Sequence, residues 1–105
     1  MPILTEIRRQ PVIQRGCLTI DPQRYMVTLA GEEISLYLKE FDVLYLLAQY
    51  PGWVLSSNQI YEAVWKESVA GCEHVVYNVI CQLRRKLKNP DMIQTVVGRG
   101  YKFVG

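Results

Sequence analysis

Asn78, Gln82 and Arg85 are spaced four and three residues apart in a segment whose apolar residues, Val76, Ile80, Leu83 and Leu87, recur at intervals of four, three and four. At about 100° per residue this pattern makes a helix over about residues 73–88, with the aliphatic side chains on one face. His74, Asn78, Cys81, Gln82 and Arg85 then point away from the core, with Tyr77 and Arg84 on one flank and Lys86 on the other. Such a face carries groups that can read base edges. Asn and Gln can bond adenine in bidentate fashion, Arg can bond guanine, and a helix fits the major groove where those edges lie. Taken alone, the face also suits plain solvation, with the basic last turn complementing the helix dipole. Further on, Gly98-Arg99-Gly100 turns an apolar β-hairpin and leaves Arg99 projecting at its tip, placed to enter a minor groove or grip a phosphate.

Charge joins these two features. Residues 74–105 hold six Lys/Arg (Arg84, Arg85, Lys86, Lys88, Arg99, Lys102) against the single acid Asp91, a net +5, whereas residues 1–73 hold six basic and nine acidic residues, a net −3. The whole-chain value of +2 conceals a molecule with one end suited to a polyanion.

Other chemistries find less support. Cys72, His74 and Cys81 lack the paired CxxC or HxxxH spacing of zinc sites, so no metal and no cofactor are expected. Cys81 would be a reactive thiol only if exposed beside its cationic neighbours; the plainer reading is a small packing residue. His74 is the single histidine, without a nucleophile and orienting acid at motif spacing, and no phosphate loop is present, so the chain is not expected to be an enzyme. Three irregularly spaced cysteines argue against a disulfide framework and fit a reducing compartment. With no run of about 18 apolar residues and no signal-peptide pattern, a cytoplasmic protein away from membranes is expected.

The elements that position these groups follow from periodicity. From Cys17 to Leu36 the pattern has period two, with turns at Asp21-Pro22-Gln23-Arg24 and Ala30-Gly31-Glu32, and predicts a small β-meander. A further strand is placed around Ile3 to Ile7 or at Val12 and Ile13. Phe41, Leu44, Leu47 and Ala48 share a face of a helix over about residues 38–50, stopped by Pro51-Gly52. Ser56 with Gln59 resembles a capping box, opening a second helix through Ile60, Ala63 and Val64 to about Glu67. Residues 68–73 form a loop, Asn89-Pro90 ends the third helix, and Ile93–Val97 and Tyr101–Val104 make the hairpin. Phe41, Tyr45, the other tyrosines, Trp53 and Trp65 are read mainly as packing residues. Strands, three helices and a hairpin give one α+β domain over residues 12–105, preceded by a tail or linker over residues 1–11.

In order and spacing, Gly16-Cys17-Leu18, Leu38-Lys39-Glu40-Phe41, Pro51-Gly52-Trp53-Val54-Leu55-Ser56, Ala63-Val64-Trp65, Ile80 to Leu87, Ile93-Gln94-Thr95-Val96 and Gly98 to Phe103 resemble the winged-helix DNA-binding (effector) domain of OmpR/PhoB-type bacterial response regulators. The resemblance covers about residues 16–104. It implies a winged helix-turn-helix: an N-terminal four-stranded antiparallel sheet, three helices and a C-terminal β-hairpin wing. The third helix would be the recognition helix, the loop at residues 66–73 a contact for RNA polymerase, and the wing a minor-groove probe. Direct-repeat half-sites bound by head-to-tail dimers are also implied. Most members carry a phosphorylated receiver domain, which is absent from these 105 residues.

By resemblance, Asn78 and Gln82 match base-reading positions, Arg84 and Thr95 match backbone-contacting ones, and Trp65, His74 and Tyr101 match phosphate contacts. The outer face and the hairpin add Arg85 and Cys81 to the base-facing set, Lys102 to the backbone set, and Arg99 at the minor groove. The chain departs from the family pattern at Tyr77-Asn78-Val79, at Gln82 where Arg is frequent, at Val97 where the wing usually has Arg, and at Tyr37 where a Thr cap is usual. The alternative is a winged-helix module that uses the same face for an acidic protein partner.

Overall fold

A computed structural model describes residues 11–66 and 73–104. Its N-terminal layer is an antiparallel meander of β1 (Ile13–Arg15), β2 (Leu18–Asp21), β3 (Met26–Leu29) and β4 (Glu32–Ile34) in sequential order. The register sets Ile13 against Ile20, Ile20 against Val27 and Val27 against Ile34, so one apolar row crosses all four strands. Leu18, Ile20 and Val27 are buried while Gln14 and Glu33, on the opposite row, face out, the outcome of period-two alternation on a half-covered sheet. At the β2–β3 turn the Asp21 carboxylate accepts the backbone N–H groups of Gln23 and Arg24. Of the upstream strand positions, Ile13 lies in β1, and Ile3 to Ile7 fall outside the described residues.

Three helices follow: α1 (Leu38–Gln49), α2 (Ser57–Trp65) and α3 (Glu73–Leu87). In α1, Phe41, Val43, Leu44, Leu47 and Ala48 face the core. Tyr37 supplies no capping oxygen; instead the Glu40 carboxylate accepts the Tyr37 N–H at 2.9 Å, which satisfies one orphan donor of the first turn from inside the helix. At the other end of α1, Arg15 Nη2 donates to the Ala48 carbonyl at 3.1 Å. The expected capping box on α2 is present: Ser56 Oγ accepts the Gln59 N–H at 3.1 Å and Gln59 Oε1 accepts the Ser56 N–H at 2.8 Å. This helix stops at Trp65, two residues earlier than the pattern predicts, because Lys66 turns left-handed with φ +60°. Val76, Ile80, Leu83 and Leu87 of α3 are fully buried.

After a 3-10 turn at Pro90–Met92, β5 (Ile93–Val96) pairs with β6 (Gly100–Phe103). The hairpin loop is therefore Val97-Gly98-Arg99, displaced by one residue from the expected Gly98-Arg99-Gly100. Arg99 N donates to Val96 O at 2.9 Å, closing a β-turn in which Gly98 supplies φ +74°. Gly100 can then pair with Val96 inside the ladder, where it has a second task. A Cβ there would lie 2.0 Å from the Leu55 carbonyl oxygen, so only glycine lets β6 run against residues 55–56. Two bonds seal that approach, Leu55 N to Tyr101 O at 2.8 Å and Tyr101 N to Leu55 O at 2.9 Å.

The aromatic residues correct the packing expectation. Phe41 and Tyr101 are buried, but Tyr45 is half-buried, with its hydroxyl donating to Pro11 O at 2.8 Å. Tyr25, Tyr37, Tyr50, Trp53 and Tyr77 are exposed. Several lean on a partner instead of filling the core: Tyr25 on Phe41, Trp53 on Tyr50, and Tyr37 under the Lys86 ammonium at 4.4 Å.

Candidate nucleic-acid interface

The apolar stripe of α3 fixes the rotation of the whole helix, and with it the opposite face. His74, Asn78 and Arg85 are exposed, and Cys81 and Gln82 are partly so. Gln82 Oε1 accepts a hydrogen bond from the Arg85 guanidinium, one helical turn on, so the amide oxygen is engaged and the NH₂ group is its remaining donor. Cys81 is a free thiol hydrogen-bonded to Tyr77, and this bond is the main cause raising the Tyr77 phenol above its ordinary value.

Two side chains hold α3 from opposite flanks. On one, Arg84 Nε donates to Ile93 O at 3.0 Å and Arg84 Nη2 to Thr95 Oγ1 at 2.8 Å, so the helix is braced against the wing. On the other, Lys86 Nζ meets Glu40 Oε1 at 2.7 Å, a pair in which the carboxylate is buried and also holds the start of α1. Arg84 and Thr95, singled out separately in the sequence, are partners of one another. Tyr101 is buried beneath the same joint; desolvation pushes its phenol up, while the Arg84 charge pulls it partly back.

The wing, the start of α2 and the start of α3 surround an open cleft of about 370 Å³, with Ser56, Asn58 and Glu73 on one side and Thr95, Arg99 and Tyr101 on the other. Arg99 is exposed on the wing tip, and Lys102 is half-buried on β6 opposite Gln94. Trp65 stands apart from this cleft, at the far end of α2. It is stacked on Tyr61 with ring centroids 5.0 Å apart, and the Lys39 ammonium lies 5.6 Å from its ring. The sequence reading brought out the outer face of α3 and Arg99, but it missed the α2 N-terminus as a wall of the cleft and Val97 as the tip residue. The Ser56–Gln59 cap was the signal for the first; for the second, only the exact hairpin register carries the information.

Cys72 and residues 67–72 of the expected polymerase loop lie outside the described residues. Among the described residues no group of three or more His, Cys, Asp and Glu could hold a metal ion, and no helix is long and apolar enough to cross a membrane.

Residues 31–103 match the family described as transcriptional regulatory protein, C terminal. The chain is 39% identical over 99 residues to the transcriptional regulatory protein CutR of Streptomyces coelicolor, covering 94% of this chain and 46% of that protein. It is 42% identical over 101 residues to the response regulator ArlR of Staphylococcus aureus, covering 90% and 46%. It thus spans about half the length of these relatives. Among solved structures, the Klebsiella pneumoniae RstA DNA-binding domain in complex with the RstA box superposes with a TM-score of 0.82 at 33% identity, over 89% of this chain and 96% of that one. With the four-stranded sheet, the three helices and the wing in the expected order, the chain belongs to the C-terminal transcriptional-regulator family, the winged-helix effector domains of OmpR/PhoB-type response regulators.

Proposed function

We propose that this domain binds double-stranded DNA in a sequence-specific manner as part of a bacterial two-component transcription regulator acting in the cytoplasm. The carrying observation is the orientation of α3: its aliphatic stripe is wholly buried, so Asn78, Cys81, Gln82 and Arg85 form a continuous outward face beside a cationic wing. That face enters the major groove, where Asn78, Gln82 and Arg85 reach base edges with Cys81 alongside. Arg84, Thr95, His74, Tyr101, Lys102 and Trp65 track the sugar-phosphate backbone, Arg84 and Thr95 as a preformed pair. The cleft beside the wing gives a phosphate run a concave seat next to the N-terminal end of α2. Arg99 lies at the adjoining minor groove. The RstA domain solved with its box supports this reading.

Two copies bind head to tail on direct-repeat half-sites, and the segment at residues 66–73 faces RNA polymerase. Selection of bound duplexes from a random pool tests the reading. Enriched direct repeats spaced by about one helical turn are expected, whereas no saturable duplex binding at low salt would favour a protein-interaction module in its place.

A further inference from the structure

The hairpin register puts Val97 first in the turn of the wing, and at 90% exposure it is the most exposed large apolar side chain among the described residues. A lone exposed valine on a surface needs no explanation. This one stands on a rigid finger. The turn beneath it is closed by the Arg99 N to Val96 O bond, β6 is bonded to Leu55 on both sides of its peptide, and β5 is braced by Arg84 through Ile93 O and Thr95 Oγ1. Gly98 and Gly100 add no side chain around the tip, so the Val97 isopropyl and the exposed Arg99 guanidinium are what the turn presents.

We propose that Val97 is a specificity-determining residue that reads the minor groove by shape, accepting A·T pairs and rejecting G·C. The inference rests on the wing entering the minor groove. In that groove A·T and T·A pairs present only acceptors, whereas G·C adds the guanine 2-amino group, which projects from the floor. A valine side chain has no acceptor for that amino group. Over G·C it both collides with the group and strips water from a donor left unsatisfied. Over A·T the floor is smooth, and apolar side chains are established wedges in such grooves. β-branching holds the isopropyl in few rotamers, so little freedom is lost on insertion. Arg99, one residue past the turn glycine, supplies the sequence-independent phosphate attraction that keeps the wedge in place.

The test uses three duplexes that differ only at the base pairs under the wing, located by footprinting: A·T, G·C, and deoxyinosine·dC. Inosine keeps the major-groove face of guanine but lacks the 2-amino group. The wild-type domain is expected to bind the A·T and inosine duplexes alike, and both on the order of tenfold more tightly than G·C. Val97→Ala should bring the three affinities together at an unchanged thermal midpoint, since the side chain packs on nothing. Arg99→Ala should weaken all three equally and keep the discrimination. Equal wild-type affinities, an inosine duplex that behaves like G·C, or discrimination that survives Val97→Ala would each overturn the role of Val97 while leaving DNA binding intact. Absence of saturable binding to every duplex would overturn the DNA reading itself, and this inference with it.

Discussion

Gln82 shows how a local bond reshapes what a side chain can recognise. Its amide oxygen is engaged by Arg85, so it offers donors until that bond is released, and under the proposed function the two residues would address neighbouring base edges as a pair. Gln82→Ala should shift the preferred sequence, with a loss on the order of 1–3 kcal/mol at one base pair, measured by competitive binding of single-position variants of the selected site. An unchanged preference would remove Gln82 from the base-reading set. Asp42 on α1 supplies a stability prediction of a different kind. Burial raises its carboxyl above the ordinary 3.8, and the Lys39 and Lys66 charges offset only part of that. A folded-state value above the unfolded one means the ionised form is disfavoured in the fold, so its cost appears as pH rises past about 3.8 and is complete above the folded value. Asp42→Asn should therefore raise the thermal midpoint at neutral pH and lose that advantage when the pH falls below the unfolded value. A gain that persisted in acid would assign the effect to something other than ionisation. The role of Gln82 was legible in the sequence, as was its i,i+3 spacing from Arg85; the shift at Asp42 was not, because it depends on how the fold buries that side of α1.

At the scale of elements, much was legible. The spacing of Val76, Ile80, Leu83 and Leu87 determined both the existence of α3 and its rotation, because a single apolar stripe leaves one orientation that buries it. Ser56 and Gln59 marked the start of α2 through chemistry wholly local to four residues. Prediction failed where the deciding contact is remote. The hairpin register depends on Gly100 meeting Leu55, some 45 residues earlier in the chain, and so the loop was placed one residue late. The exposure of Tyr37 was not legible because its partner, Lys86, lies 49 residues away. Gly100→Ala probes the seam between wing and body. A Cβ forced to within 2.0 Å of a backbone oxygen should cost on the order of 1–3 kcal/mol in denaturant unfolding and speed hydrogen exchange at the Leu55 and Tyr101 amides. Wild-type stability with unchanged exchange would show that the seam is not a close contact.

For the whole molecule, polarity of charge governs association. Of the six basic residues after position 73, Lys86 is paired with Glu40, so at most five charges, those of Arg84, Arg85, Lys88, Arg99 and Lys102, are open to a polyanion. At about 0.9 per phosphate neutralised, this face can contribute a slope of log K against log salt no steeper than roughly −4.5 per domain. Arg99→Ala should flatten the measured slope by about 0.9 and weaken binding to all duplexes alike, as read from titrations across a salt series. An identical slope would mean that Arg99 touches no phosphate.

The paired grips on α3, Arg84 to the wing and Lys86 to the first turn of α1, have a mechanical outcome. A rod clamped on both sides cannot roll about its long axis to suit an imperfect groove. Any misfit in pitch or tilt must then be absorbed by the softer body, the nucleic acid, so sites rich in easily kinked pyrimidine–purine steps should be bound more readily than stiff ones with the same contacted bases.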